Sequence, residues 1–121
     1  MAQPFVHLEL NTPDQAKAKS FYGDLCGWTF QDMDMGPAGT YSVFRPESGP
    51  GGGIFTMPGA PTEKAWLPYI GVDDLKVATD KAASLGAKVL MRDQEVPGQG
   101  WFSILTDPTG CNVALWQAKA K

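Results

Sequence analysis

The feature that most constrains the fold of this chain is an internal repeat, because one strand, one helix and three further strands occur twice in 121 residues. In the first copy, residues 4–10 alternate apolar and polar side chains, which predicts a half-buried strand. A helix then extends to Gly27, which can end it in the left-handed conformation. The three strands predicted after this helix are 28–32, 40–45 and 53–57.

The first helix has a recognisable start and an apolar face. Thr12 is a good N-cap, and Gln15 three residues later completes a capping box. Apolar side chains recur with helical spacing, which predicts one buried stripe. The predicted stripe consists of Ala18, Phe21, Tyr22 and Leu25.

The second copy follows the same plan. Residues 67–72 form its first predicted strand, Asp73 or Asp74 caps its helix, and Gly86 ends that helix. The three later strands are predicted at 88–91, 100–106 and 112–117. We therefore expect an α+β fold in which residues 1–121 form a single domain of two tandem βαβββ modules. Module one is expected at about 4–58, a linker at about 59–65 and module two at about 66–118.

The alternation along the strands predicts which side chains share a sheet face. One set should face the helices, and it comprises Val6, Leu8, Leu10, Ile70, Val72, Val113 and Leu115. The other set comprises His7, Glu9, Leu67, Tyr69, Asn112, Ala114 and Trp116. If the sheets curve with the second set inward, these side chains would line a cleft that suits a small ligand.

Composition excludes several other classes of protein. The formal net charge is −3 and the basic residues are scattered, which argues against nucleic-acid binding. No apolar run is long enough to span a membrane, and no secretory signal pattern precedes the first strand. The two cysteines, Cys26 and Cys111, form no CxxC pair and are expected to be free thiols. A cytoplasmic protein is the expectation.

Several short segments of this sequence resemble one known family. His7-Leu8-Glu9-Leu10, Pro13-Asp14 through Phe21-Tyr22, and Gly27-Trp28 look like the first module of the glyoxalase/bleomycin-resistance/dioxygenase superfamily, the vicinal oxygen chelate fold. The segments that look like its second module are Val72-Asp73-Asp74-Leu75, Leu85-Gly86-Ala87, Asp107-Pro108-Thr109-Gly110 and Leu115-Trp116. The resemblance implies paired modules around a cleft, and small members of this size are usually homodimers.

Metal-using members of this family place one ligand on the first strand and one on the last strand of each module. Carried over by position, these places fall on His7, near Gly53 or Ile54, on Leu67 and on Ala114. Of these residues, His7 alone has a side chain that coordinates metals. The resemblance therefore implies that the usual metal set is mostly missing, and we expect neither a metal site nor a cofactor.

The first hypothesis from the sequence is a metal-independent small-molecule site of unassigned activity. His7 and Glu9 are its candidate catalytic residues, because an imidazole titrates near neutral pH and a carboxylate can orient it or accept a proton. Tyr69, Trp101 and Trp116 are its candidate substrate-binding residues, because they offer flat apolar area with a polar tip. For each residue a plainer role stays open: a hydrogen bond for His7, an ion pair for Glu9, and packing for the aromatic side chains.

Two alternatives remain from sequence alone. One is a drug-binding dimer of the bleomycin-resistance type, which needs an aromatic cleft and no metal. The other is a metal-dependent lyase or dioxygenase with an altered ligand set that includes His7 and Glu9. The glycine-rich stretch 48–53 lacks the Lys-Ser/Thr of a phosphate-binding loop, and a flexible hairpin tip that could act as a lid is expected there. Trp28 is expected to be a core or interface anchor.

Overall fold

The structure is a computed structural model that describes residues 2–56 and 64–120. Its element order confirms the α+β prediction. The first copy contains β1 (Phe5–Asn11), α1 (Gln15–Cys26), β2 (Phe30–Asp34), a 3₁₀ turn (Gly36–Ala38), β3 (Thr40–Phe44) and β4 (Gly51–Phe55). The second copy contains β5 (Ala65–Gly71), α2 (Leu75–Ser84), β6 (Lys88–Val96), β7 (Gly100–Thr106) and β8 (Asn112–Ala118). The predicted linker falls largely on residues 57–63, which lie outside the described residues.

The chain divides into two compact units. The first unit is His7–Leu67, and the second combines Met1–Val6 with Pro68–Lys121. Residues 4–6 belong to the second unit because Gly71 N donates a hydrogen bond to Pro4 O over 2.9 Å. Val6 also lies directly against Gly71, where a larger residue would not fit.

Strand pairing is the same in both units. In the first unit β1 runs parallel to β4, and β4, β3 and β2 follow as antiparallel neighbours. In the second unit β5 runs parallel to β8, and β8, β7 and β6 follow in the same way. In each unit the helix leads from the first strand to the strand at the far edge of the sheet. A crossover connection of this kind is needed because the first and last strands pair in parallel.

The glycine-rich stretch differs from its prediction. Gly51, Gly52 and Gly53 are not a hairpin tip but the first three residues of β4, which therefore starts two residues earlier than expected. All three pair with β1, Gly51 opposite His7 and Gly53 opposite Glu9. Glycine is required because a Cβ at Gly52 would overlap the Phe44 ring and the Leu8 carbonyl oxygen. A flexible lid made of these three glycines is thus excluded.

The helix starts also differ in detail. The N-cap of α1 is Asp14, whose carboxylate accepts a hydrogen bond from Lys17 N over 3.0 Å, and not Thr12. Thr12 instead accepts from Asp14 N through its hydroxyl, and Gln15 reaches the sheet. In α2 the N-cap is Asp74, one of the two predicted candidates.

Each unit buries its own core. In the first unit an aromatic stack forms between helix and sheet, where Trp28 lies 4.1 Å from Phe44 and 5.3 Å from Tyr22, measured between ring centroids. Trp28 thus packs within the core, which was one of the two roles predicted for it. The predicted stripe of α1 is only half right, because Phe21 and Leu25 are 55% and 67% exposed. In the second unit Leu75, Leu105 and Leu115 form the centre of the core.

Candidate functional site

His7 lies on the face of the first unit's sheet that is opposite to α1. Alternation along β1 places Glu9 and Asn11 on the same face, and the register adds Gly53 from β4 and Val43 from β3. The predicted neighbours His7 and Glu9 are therefore brought together. We call this surface, made of His7, Glu9, Asn11, Tyr41, Val43 and Gly53, the His7 face.

Tyr41 is the residue of the His7 face that sequence reasoning missed. Its Oη lies 2.7 Å from His7 Nε2, and the two rings are nearly parallel, with an interplanar angle of 15°. The Tyr41 ring also packs against Phe55, with 5.6 Å between ring centroids. The sequence does contain a signal for Tyr41. Tyr41 and Val43 alternate with Ser42 and Phe44 along β3, which predicts that Tyr41 and Val43 share one face of the strand.

Gly53 makes the Tyr41 position possible. A Cβ built on Gly53 would overlap the Tyr41 ring and its hydroxyl. The Tyr41 ring therefore occupies the volume that any other residue at position 53 would fill. Because Ile54 points to the helix side and is fully buried, Gly53 and not Ile54 is the last-strand position of this face.

Burial sets the protonation state of His7. Removal from water lowers the pKa of the imidazole below its ordinary value of 6.5, since the charged form loses hydration. The ring is thus neutral at neutral pH. A neutral imidazole has one protonated and one unprotonated nitrogen, so His7 can accept a proton from a ligand or partner.

Two further polar groups lie on the His7 face. Glu9 is only 9% exposed, so its carboxylate is largely removed from solvent. Asn11 Oδ1 is buried and, among the described residues, has no hydrogen-bond partner. Arg45 adds a cation at the solvent-exposed end of β3, where its Cγ lies against Gly51.

The predicted substrate-binding residues lie in the second unit. Tyr69 on β5 is opposite Ala114 on β8, and Trp116 is opposite Phe102 on β7. The Tyr69 and Phe102 rings approach to 6.2 Å between centroids. Tyr69, Phe102 and Trp116 therefore share one sheet face, which we call the aromatic face. Phe102 was not predicted.

Trp101 does not belong to the aromatic face, which corrects its inclusion among the predicted binding residues. It lies opposite Gln117, on the same side of β7 as Ser103 and Leu105. Its ring packs against the core beneath α2. The physical reason is the two-residue period of the strand, which sends Trp101 and Phe102 to opposite faces.

The residues of the His7 face do not fit the metal that the fold family implies. The last-strand position is Gly53, which has no side chain, and the space beside it is filled by Tyr41. In the second copy of the repeat Leu67 and Ala114 take the corresponding places, and neither coordinates metals. Within residues 2–56 and 64–120, no group of three His, Cys, Asp or Glu side chains is arranged to hold a metal ion.

A separate groove of about 540 Å³ lies on the helix side of the first unit. Phe21, Tyr22 and Trp66 form its aromatic wall, and Lys17 stands at its edge. It shares Asn11 with the His7 face. It contains neither His7 nor Glu9, so the predicted catalytic residues and this groove are distinct features.

No helix among the described residues is both long and apolar enough to cross a lipid bilayer.

Comparison with known proteins identifies relatives over nearly the whole chain. A protein named "Putative glyoxylase CFP32" from Mycobacterium bovis is 39% identical over 115 residues, which cover 92% of this chain and 44% of that protein. The anthracycline biosynthesis protein DnrV from Streptomyces peucetius is 27% identical over 128 residues, which cover 90% of this chain and 45% of that protein. The chain thus spans less than half the length of these curated relatives.

Solved structures share the fold at low sequence identity. The hypothetical protein BH1468 from Bacillus halodurans superposes with a TM-score of 0.79 at 9% identity, covering 100% of this chain and 98% of that one. Methylmalonyl-CoA epimerase from Mycobacterium tuberculosis superposes with a TM-score of 0.71 at 13% identity, covering 96% and 88%. At these identities the likeness concerns the fold alone.

The family model described as "Glyoxalase-like domain" matches residues 7–116, which include β1 from His7 and β8 up to Trp116. This match and the 39% identical relative agree with the resemblance read from the sequence. The chain belongs to the glyoxalase-like domain family.

Proposed function

We propose that this glyoxalase-like domain binds a planar small molecule on the His7 face and does so without a metal ion. The observation that carries the proposal is the hydrogen bond of 2.7 Å between Tyr41 Oη and His7 Nε2, above a glycine at the last-strand position. The ring nitrogen that would coordinate a metal is already engaged, and the facing residue offers no second ligand. The His7 face can therefore recognise an organic ligand through an imidazole, a phenol and a carboxylate.

The aromatic face belongs to the second unit, and we propose it as a surface for a planar ligand in its own right. Tyr69, Phe102 and Trp116 supply flat apolar surfaces that suit stacking on conjugated rings, and Tyr69 and Trp116 also carry a polar tip. The name of DnrV, an anthracycline biosynthesis protein, points to a polycyclic aromatic ligand in a relative of 27% identity. We therefore propose polycyclic aromatic compounds as the ligand class, with Tyr69 and Trp116 as binding residues.

His7 and Glu9 are the proposed catalytic residues if the bound molecule is converted. A neutral imidazole is ready to accept a proton near neutral pH, and Tyr41 is placed to share that proton. Proton transfer at an activated carbon or hydroxyl of the ligand is the reaction type that this pair supports. A lyase or dioxygenase that depends on a metal would need ligands that the His7 face lacks.

Metal analysis of the purified protein tests the metal-free character. We expect less than about 0.1 equivalent of zinc, nickel or iron per chain after mild dialysis. His7→Ala should leave the metal content unchanged. Stoichiometric metal that disappears in His7→Ala would contradict the proposal, since it would require His7 Nε2 to leave Tyr41.

Ligand binding is tested by fluorescence of the four tryptophans and by calorimetry. We expect an anthracycline aglycone to bind with a dissociation constant in the micromolar range, and bleomycin to bind more weakly. Tyr69→Ala should weaken binding, whereas Leu90→Ala, an exposed position on β6, should not. If the aglycone does not bind and bleomycin does, the drug-sequestering alternative replaces this proposal.

A homodimer is part of the proposal. The curated relatives are more than twice the length of the matched segment, so two copies of this chain would match their length. Light scattering coupled to size exclusion should give twice 13.0 kDa. A cytoplasmic location is proposed on the two exposed free cysteines, Cys26 and Cys111, because thiols persist in reducing compartments.

A further inference from the structure

We infer that Arg45 binds a carboxylate of the ligand, so that the His7 face takes planar acids in preference to planar neutral molecules. The inference deepens the proposed function and rests on it, because it names the charged group that the planar ligand must carry. It makes Arg45 a binding residue and extends the site to β2, the strand at the edge of the sheet. All the residues involved belong to the first unit.

The first step is the position of Arg45, which lies on the same side of the sheet as His7. Gly51 pairs in parallel with His7, so a side chain at position 51 would point to the His7 face. A Cβ built on Gly51 would lie 3.7 Å from Arg45 Cα and 3.8 Å from Arg45 Cγ, which places the Arg45 side chain on that face. Because Gly51 has no side chain, it fills none of the space between the imidazole and the guanidinium.

The second step is the separation of the two groups. Strand β4 lies between β1, which carries His7, and β3, which Arg45 follows directly. Two steps between neighbouring strands correspond to about 10 Å. A polycyclic aromatic molecule is of similar length. One ligand can therefore contact the His7 imidazole at one end and the Arg45 guanidinium at the other.

The third step is a hollow of about 130 Å³ beside Arg45. It is lined by Thr29, Phe30, Gln31, Val43 and Arg45. Val43 pairs with Gly53 in β4 and with Gln31 in β2, so Gln31 belongs to the same sheet face as Val43. Thr29 precedes Gln31 by two residues and follows the same alternation. The hollow thus continues the His7 face to the sheet edge.

The fourth step is the chemistry of this hollow, which is rich in hydrogen-bond donors. Arg45 offers five N–H groups, Gln31 an amide NH₂ and Thr29 a hydroxyl. In the part of the chain that the structure describes, none of these three side chains takes part in an ion pair or a hydrogen bond. A guanidinium binds a carboxylate through two parallel hydrogen bonds. A carboxylate is thus the group that uses the donors of the hollow best.

Charge decides the size of the preference. Arg45 is exposed, and a planar ligand on the His7 face would cover its guanidinium. Removal of water strengthens the attraction between the guanidinium and a carboxylate. A neutral amide of the same shape would cover the guanidinium without bringing a charge to replace its hydration. We expect the acid to bind at least about tenfold more tightly than the amide.

The first experiment compares naphthalene-2-carboxylate with naphthalene-2-carboxamide by calorimetry. Arg45→Gln should remove the preference for the acid and leave the affinity for the amide unchanged. Arg92→Gln is the matched control and should keep the preference, because Arg92 lies in the second unit and pairs with Asp80. Equal affinities of the wild-type protein for acid and amide would overturn the inference. So would a preference that survives in Arg45→Gln.

Gln31→Glu is the second variant, and it keeps Arg45 in place. Its added carboxylate in the hollow would repel the acid and engage the guanidinium, so the affinity for the acid should fall by about tenfold. The affinity for the amide should not change. An unchanged affinity for the acid would show that the carboxylate does not enter the hollow.

The second experiment locates both probes by nitrogen NMR. The chain has one histidine and two arginines, so the imidazole and guanidinium Nε signals are few and can be assigned with the variants above. We expect the acid to shift the signals of His7 and Arg45, and the amide to shift those of His7. The Arg92 signal should stay in place with either probe.

The two readouts separate the inference from the function on which it rests. If both probes shift the His7 signals and bind equally well, planar binding stands and the carboxylate assignment is wrong. If the acid shifts the Arg45 signal but not the His7 signals, the anion site lies apart from the His7 face, and the inference is overturned. If neither probe shifts the His7 signals, the proposed function itself fails.

Discussion

At the scale of single residues, the main chemical feature of this chain is the hydrogen bond between His7 Nε2 and Tyr41 Oη. The strand period was sufficient to predict that His7 and Glu9 share a face, because only one side of β1 can contact the helix. It was not sufficient to find Tyr41, which is 34 residues away in sequence and whose position depends on the register of β3 with β4. Register is a tertiary property, and a single sequence does not reveal it.

The stability of the protein should depend on pH through His7. The pKa of His7 in the folded state lies below 6.5, so the unfolded chain takes up a proton first as the pH falls. Stability is therefore fully present above pH 6.5 and decreases as the pH falls from 6.5 through the folded pKa. Each unit by which the pKa is lowered corresponds to about 1.4 kcal/mol.

Urea unfolding between pH 7.5 and 5 measures this effect. His7→Gln removes the titrating imidazole, so the difference between the two curves reports the contribution of His7. We expect the wild type to lose more stability than His7→Gln on acidification. Parallel curves would show that His7 is not desolvated in the folded protein.

The fit of Tyr41 against Gly53 makes a second prediction at this scale. Gly53→Ala should destabilise the protein by about 1–3 kcal/mol, because an added methyl group in a packed site forces neighbouring groups to move. Gly53 does not have a positive φ angle, so backbone strain does not contribute. Gly53→Ala in a Tyr41→Ala background should cost much less, and equal costs in the two backgrounds would contradict the overlap.

At the scale of secondary-structure elements, the first turn of α1 is attached to its sheet by polar contacts, in addition to the aromatic stack that includes Tyr22. Gln15 Nε2 lies 2.8 Å from Thr40 O, 2.8 Å from Ile54 O and 3.1 Å from Ser42 Oγ, so its two protons are shared among three acceptors. Ser42 donates to Asp32, and together with Lys19 it lowers the pKa of that carboxyl. Gln15 shares the sheet-facing side of α1 with Ala18 and Tyr22, the half of the predicted stripe that is partly buried.

Gln15→Ala should therefore cost about 1–3 kcal/mol of unfolding free energy, since it removes the donor to partly buried acceptors on β3 and β4. Lys17→Ala on the exposed side of the same helix is the control and should change the stability by less than about 0.5 kcal/mol. Chemical denaturation of both variants checks the difference. Similar losses would mean that the amide contacts contribute nothing beyond helix propensity.

At the scale of the whole molecule, the repeat extends to the interior of each unit. Ser42 on β3 lies opposite Ile54, and Ser103 on β7 lies opposite Leu115, so the two serines hold equivalent positions. Each is almost completely buried. Ser42 bonds to a side chain of α1, and Ser103 lies 2.9 Å from Thr79 Oγ1 on α2. The sequence pattern predicted the order of the elements but not this pairing, since buried serines carry no periodic signal.

The Thr79 and Ser103 contact can be measured by a double-mutant cycle. Thr79→Val and Ser103→Ala should each cost about 1–2 kcal/mol, and the double variant should cost less than their sum. Ser103 also accepts from Asp93 N, at the one non-glycine residue with a positive φ among those described, so Ser103→Ala should be the more costly change. Strict additivity in urea unfolding would show that the two hydroxyls do not interact.

The glycine at position 53 also limits how this protein can evolve. Replacing Gly53 by Glu would place an acidic side chain on the same face as His7 and Glu9, yet that side chain would collide with the Tyr41 ring. A smaller residue at position 41 would have to appear first, and that change by itself would remove the hydrogen bond to His7. A metal site that used position 53 would thus require two substitutions, of which either alone is harmful. Selection acting on single mutations has little access to that path.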